Sequence, residues 1–139
     1  MRDFSLSPEV LYSIAKHAQE CDPRECCGVL LGDKTGQIRF AAPIENSAQH
    51  PKDSYQIDPL VLDRVYDQAA RSGLRVLGLY HSHVEVGAYF SSIDHALAVD
   101  RGEPMYLLYV VAGVRAGRCD EINSFTWDGH EFIAASLPL

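Results

Sequence analysis

A chain of 139 residues, 47% hydrophobic and 22% charged, is long enough to bury a core and short enough to do so as one domain spanning residues 1–139. Its longest strongly apolar stretch, Met105 to Val114, is about half of what a membrane-spanning helix requires, which argues against a membrane protein. A formal net charge of −7, with three lysines and nine arginines scattered along the chain, argues against a nucleic-acid partner, which favours a basic patch.

At the amino end, Met1-Arg2-Asp3-Phe4-Ser5 lacks the apolar core of a secretory signal, so a cytoplasmic location is expected. Ser7-Pro8-Glu9 then opens a helix, with a capping hydroxyl and proline at the first position. Val10, Leu11, Ile14, Ala15 and Ala18 form its apolar stripe, and Asp22-Pro23 ends it. Cys26 to Leu31 is a compact apolar strand that pairs as a hairpin with Gln37 to Ile44. The polar run Glu45 to Ser54 is a loop, followed by a short strand, Tyr55-Gln56-Ile57. A second helix starts near Asp58-Pro59, buries Leu60, Val61, Leu62, Val65, Ala69 and Ala70, and stops at Ser72-Gly73.

Arg75 to His83 reads as a strand, Val84 to Phe90 as a loop and Ser92 to Asp100 as a third helix. Met105 to Val111 is the most apolar strand and so a central one. Two closing strands, Ile122 to Trp127 and His130 to Ala135, meet at the hairpin signal Asp128-Gly129. Tyr106, Tyr109, Trp127 and Phe132 are expected in the core. The four cysteines, Cys21, Cys26, Cys27 and Cys119, contain no C-x-x-C pair and are expected as free thiols, mostly buried with Cys21 the most exposed, a nucleophilic cysteine being the alternative. The pattern is that of an α+β domain.

Tyr80-His81-Ser82-His83 carries the chemistry. His-x-His on a strand places both imidazoles on one face, because strand side chains alternate with period two. Eight residues on stands Ser91, and three further Asp94. Two imidazoles and a carboxylate make a ligand set for a catalytic zinc whose fourth position is left to water. Each residue also has an ordinary reading: Ser91-x-x-Asp94 is a capping box at a helix start, and the histidines are hydrogen-bonded structural residues. Capping by Ser91 or Ser92 is compatible with Asp94 facing a metal. Glu25, just ahead of the apolar strand, is either a solvated loop carboxylate or a general base that binds no metal.

Taken together these residues resemble the JAMM (MPN+) motif of zinc metallopeptidases: a glutamate, then His-Ser/Thr-His, seven residues, Ser, two residues, Asp. His81-Ser82-His83, Val84 to Phe90, Ser91 and Asp94 match that spacing, and Glu25 with Cys27-Gly28 resembles the glutamate segment. Most members have proline after the second histidine, where this chain has Val84, which bears on the shape of the following loop. The resemblance implies a single cytidine-deaminase-like domain, a mixed curved sheet flanked by helices. It implies one Zn²⁺ held by His81, His83 and Asp94, with Glu25 as general base and Ser91 as donor to the oxyanion.

The implied reaction is hydrolysis of a peptide or isopeptide bond after the carboxyl-terminal Gly-Gly of a ubiquitin-like protein. The near-minimal length resembles the stand-alone prokaryotic members, which favours a sulfur-carrier protein as partner. An extended tail would add a strand to a sheet edge beside the zinc, and the loop Val84 to Phe90, with Glu85, Tyr89 and Phe90, is either a wall of that groove or an ordinary surface loop with buried aromatics. Two other readings stay open: a non-catalytic scaffold of the same fold that binds a protein partner, and a DNA-repair-associated relative, against which the acidic charge counts. A homodimer is equally open.

Overall fold

The computed structural model describes residues 3–139. Met1 and Arg2, part of the amino-terminal stretch read above, lie outside the described residues. In chain order the elements are β1 (Ser5–Leu6), α1 (Pro8–Cys21), β2 (Cys27–Gly32), β3 (Gln37–Ile44), α2 (Pro59–Arg71), β4 (Arg75–Val84), α3 (Ser92–Ala98), β5 (Val99–Asp100), β6 (Glu103–Pro104), β7 (Leu108–Arg115), β8 (Arg118–Trp127) and β9 (Phe132–Leu137). Seven strands form a mixed sheet in the order β1-β3-β2-β4-β7-β8-β9. The β4–β7 pair is parallel, and α3 lies in the crossover between them. This is an α+β fold.

The side-chain alternation of β4 and β7 divides the core between the two faces of the sheet. On one face Tyr80, Leu108, Val110, Ala112 and Val114 pack with Val10, Leu11, Ile14 and Ala18 of α1. Helix α1 begins where the sequence places it, with Ser7 Oγ accepting from the Val10 N–H at 3.3 Å. Full burial of each Val, Leu or Ile side chain on its stripe contributes about 1.5–3 kcal/mol. On the opposite face, Tyr109 and Val111 pack with Ala98 of α3, Ala88 and Phe125. His81 and His83 have the parity of that second face, so β4 presents them towards α3. Gly78 permits the close β4–β7 approach, since a Cβ there would collide with the Leu108 carbonyl.

Several boundaries differ from the sequence reading, each for a local reason. Tyr55-Gln56-Ile57 is not a strand. The Gln56 N–H is taken by the side chain of Asn46 at 3.1 Å, which replaces a ladder partner. Helix α3 stops at Ala98 because Val99 turns extended and pairs with Pro104, with Asp100 opposite Glu103. β7 starts at Leu108, leaving Met105 exposed and Tyr106 half-buried. On α2 the inward stripe is Val61, Leu62, Val65 and Ala69, whereas Leu60 and Ala70 face solvent. The β7–β8 hairpin, closed by Ala116-Gly117 with φ of 50° and 77°, has no strong signal in the sequence. Of the expected core aromatics, Tyr109 is buried and Trp127 and Phe132 are half-buried. Cys26 and Cys27 are buried, and Cys21 and Cys119 are intermediate.

Candidate metal centre

The antiparallel β2–β4 register sets Cys27 opposite His81. Continued by two residues, it brings Glu25 beside His83. Ser82, the middle residue of His-x-His, points to the other face and locks this register: its Oγ accepts from the Cys26 N–H at 2.7 Å, and its N–H donates to the Cys26 carbonyl at 3.1 Å. On the far side, α3 starts at the Ser91 cap. The capping box is complete, with Ser91 Oγ accepting from the Asp94 N–H and Asp94 Oδ2 accepting from the Ser91 N–H, both at 3.0 Å. The box therefore aims Asp94 back towards β4. Capping and site-building are the same act here.

His81 Nε2 and His83 Nε2 each lie 3.1 Å from Asp94 Oδ2, and 3.3 Å from one another. A tetrahedral zinc with donor distances of about 2.0–2.1 Å has donor–donor edges of about 3.3–3.4 Å. Three lone-pair atoms this close repel unless a proton or a cation lies among them. Among the described residues, His81, His83 and Asp94 are the group of three whose donor atoms converge within 4.8 Å. Their chemistry and spacing fit a metal ion.

The protonation preferences of Asp94 and His81 agree with that fit. Burial of Asp94 raises its pKa, but hydrogen bonds from His81, His83 and the Ser91 N–H outweigh burial and hold it well below the usual carboxylate range. Burial holds His81 below the usual histidine value, against the pull of Asp94. An ionised carboxylate and a neutral imidazole are the forms a metal requires. For His83, burial lowers the value, yet bonding to Asp94 and the charge of Glu25 leave it raised overall. Its Nδ1 lies 3.0 Å from the Gly87 carbonyl, and donation there would let Nε2 exchange the proton it shares with Asp94 for a metal ion.

Glu25 is only 6% exposed. Burial pushes its carboxyl up to about 7; Asp94 and Asp53 add to the rise and His83 opposes it. Glu25, Tyr55, His83, Tyr89, Ser91 and Asp94 line one cleft of about 220 Å³. All five site residues singled out in the sequence thus meet at one place. The Val84 to Phe90 loop divides between its two readings. Tyr89 stands edge-on to His83 at 4.9 Å. Phe90 instead turns inward onto Phe125 at 5.0 Å, and Glu85 turns to the β7–β8 turn, where its Oε1 accepts from the Ala116 N–H at 2.7 Å. Tyr55, stacked on His81 at 4.4 Å, was not legible as a site residue.

The sequence profile described as prokaryotic homologs of the JAB domain matches residues 7–127, which contain every one of these residues. The chain belongs to this family. As a JAB-domain protein it is a hydrolase of the JAMM type. It is 32% identical over 138 residues to the desampylase of Haloferax volcanii, covering 96% of this chain and 94% of that protein. It is 32% identical over 94 residues to the probable TtuB-protein conjugate cleaving protease of Thermus thermophilus, 68% of this chain and 61% of that one. The crystal structure of a JAB1/MPN domain protein from Archaeoglobus fulgidus superposes with a TM-score of 0.61 over 93% of each chain at 16% identity, which shows a common fold.

Proposed function

We propose that this JAB-domain protein is a zinc-dependent peptidase or isopeptidase that cuts after the carboxyl-terminal Gly-Gly of a ubiquitin-like protein of the sulfur-carrier kind. The observation that carries the reading is the convergence of His81, His83 and Asp94 on one point, with His83, Asp94 and the buried Glu25 lining one cleft. Support for the substrate comes from the 32%-identical relatives, one named a desampylase and the other a protease that cleaves a protein conjugate. The proposal takes residues 1–139 as one peptidase domain and its setting as the cytoplasm.

His81, His83 and Asp94 would hold the ion; two imidazoles, one carboxylate and an open fourth position are the donor set of catalytic zinc. Bound there, zinc would supply Lewis-acid polarisation and bring the pKa of water down to about 7. Glu25 works the proton. Its carboxylate accepts one from the attacking water and returns it to the leaving amine, and a carboxyl poised near 7 suits both directions. Ser91 Oγ accepts from the Asp94 N–H, which leaves its own O–H free to donate to the oxyanion of the substrate carbonyl. A cleft of about 220 Å³ lined by Tyr55 and Tyr89 suits a tail of glycines, which bring no side chains.

The test is a panel of ubiquitin-like proteins carrying carboxyl-terminal extensions or isopeptide-linked partners, read by intact mass. The expected product ends at Gly-Gly and appears only with metal present. A zinc-loaded protein that leaves every member of the panel intact would overturn the substrate assignment.

A further inference from the structure

The two histidines are held in different ways. His83 is fixed through its second ring nitrogen by the Gly87 carbonyl at 3.0 Å. His81 Nδ1 is buried, and no group among the described residues lies within hydrogen-bond reach of it. A metal-ligating histidine ordinarily gains its ring orientation from a partner on that nitrogen. His81 is instead covered across its face by Tyr55, whose ring lies 4.4 Å away at an interplanar angle of 23°. Rotation of the imidazole about its Cβ–Cγ bond would swing Nε2 out of the donor triangle. A near-parallel ring at this distance blocks that rotation and favours the stacked pose.

Tyr55 lies in residues 45–58, which lie outside helix and sheet, so its own placement needs an anchor. Asn46 supplies it. Its Nδ2 donates to the Glu25 carbonyl at 3.0 Å and the Ser54 carbonyl at 2.9 Å. Its Oδ1 accepts from the Ala48 and Gln56 N–H groups at 3.0 and 3.1 Å. All four hydrogen-bonding positions of the amide are used. Two of the bonds grip the residues on either side of Tyr55, and a third reaches the backbone of Glu25. The Glu25 N–H donates to the Pro51 carbonyl of the same loop at 2.7 Å.

We propose that Tyr55 is a positioning residue for His81, and that Asn46 is the clamp that holds Tyr55 and the Glu25 backbone in mutual register. The inference rests on the metallopeptidase reading and extends it to the loop. The ring face of Tyr55 does the positioning, and its hydroxyl is dispensable for that role. Loss of the ring or of the clamp lets His81 rotate and weakens metal binding, even though neither side chain is a ligand.

The experiment measures Zn²⁺ affinity of the full chain by competition with a chromophoric chelator, for wild type, Tyr55→Phe, Tyr55→Leu and Asn46→Ala. Tyr55→Phe is expected within about twofold of wild type; Tyr55→Leu and Asn46→Ala are expected to bind about 10–100-fold more weakly, the usual cost of losing a group that supports a ligand. The His81 ring resonances of the metal-free protein give a second readout: one sharp set in wild type and Tyr55→Phe, broadened or multiple in the other two. Should Tyr55→Leu fail to fold, Asn46→Ala, which keeps the ring, carries the test. Wild-type affinity in the variants that fold, among Tyr55→Leu and Asn46→Ala, overturns the inference alone. A Tyr55→Phe as weak as Tyr55→Leu overturns it as well, by moving the role to the hydroxyl. A wild type that takes up no zinc overturns the metallopeptidase reading beneath it.

Discussion

The cleft has two walls built on different principles. One is the end of β4 with the start of α3, where a strand's alternation and a helix cap aim His81, His83 and Asp94 at a common point. The other is the segment before β2 with the 45–58 loop, where Glu25 and Tyr55 are placed by backbone carbonyls and one asparagine side chain. The first wall gathers lone pairs, and the second brings a carboxyl whose proton is balanced near neutrality. Ion holding and proton handling are therefore separable. Substitutions of Asp94 and Glu25 should divide accordingly, whereas Tyr55 and Asn46 on the second wall act on the ion through His81.

The largest effect is expected at Asp94→Ala. It removes one donor and the acceptor for both imidazoles, so zinc content should fall from about one per chain to near none and turnover should vanish. Glu25→Gln comes next, with full zinc content and turnover reduced by about 10²–10⁴-fold, the usual contribution of a positioned proton carrier. Equal zinc loss in both variants would break the division between the walls. Ser91→Ala is expected to cost about 10²–10³ in turnover through the lost donor, and about 1 kcal/mol of stability through the lost cap. Ser91→Thr, which caps and donates, should restore both. Thermal unfolding and steady-state rates measured on the same samples would separate the two losses.

The smallest effect is a pH dependence in the metal-free protein. Burial raises the Glu25 carboxyl from 4.5 to about 7. The unfolded chain therefore loses this proton first as pH rises. The contribution of Glu25 to stability is fully present below about 4.5 and is lost as pH rises through about 7. Metal-free Glu25→Gln should accordingly gain on wild type in melting temperature between pH 5 and pH 8. A gap that is constant across that range would contradict a buried, proton-holding Glu25.

The same division decides what the sequence discloses. Everything on the first wall has a local signature: period two for His81 and His83, cap chemistry for Ser91 and Asp94. Helix starts at Ser7-Pro8 and Asp58-Pro59 are equally legible, because capping depends on residues within one turn. Glu25 was legible through the family spacing, although its neighbour His83 is set by a long-range β2–β4 register. The second wall has no period. Tyr55 looks like a strand residue because aromatic and aliphatic neighbours favour strands, and its role depends on Asn46 nine positions earlier taking the ladder bond. The two readings of the Val84 to Phe90 loop stay open in the sequence for a related reason: a loop's polarity does not tell which of its side chains turns inward, and the structure gives Tyr89 to the cleft and Phe90 to the core.

Metal content measured by elemental analysis on purified wild type, Asp94→Ala and Glu25→Gln tests the central claim most directly. About one zinc per chain in wild type and Glu25→Gln, with little in Asp94→Ala, is the predicted result. Wild type that holds no zinc after reconstitution, or Glu25→Gln that loses it together with Asp94→Ala, would contradict the account.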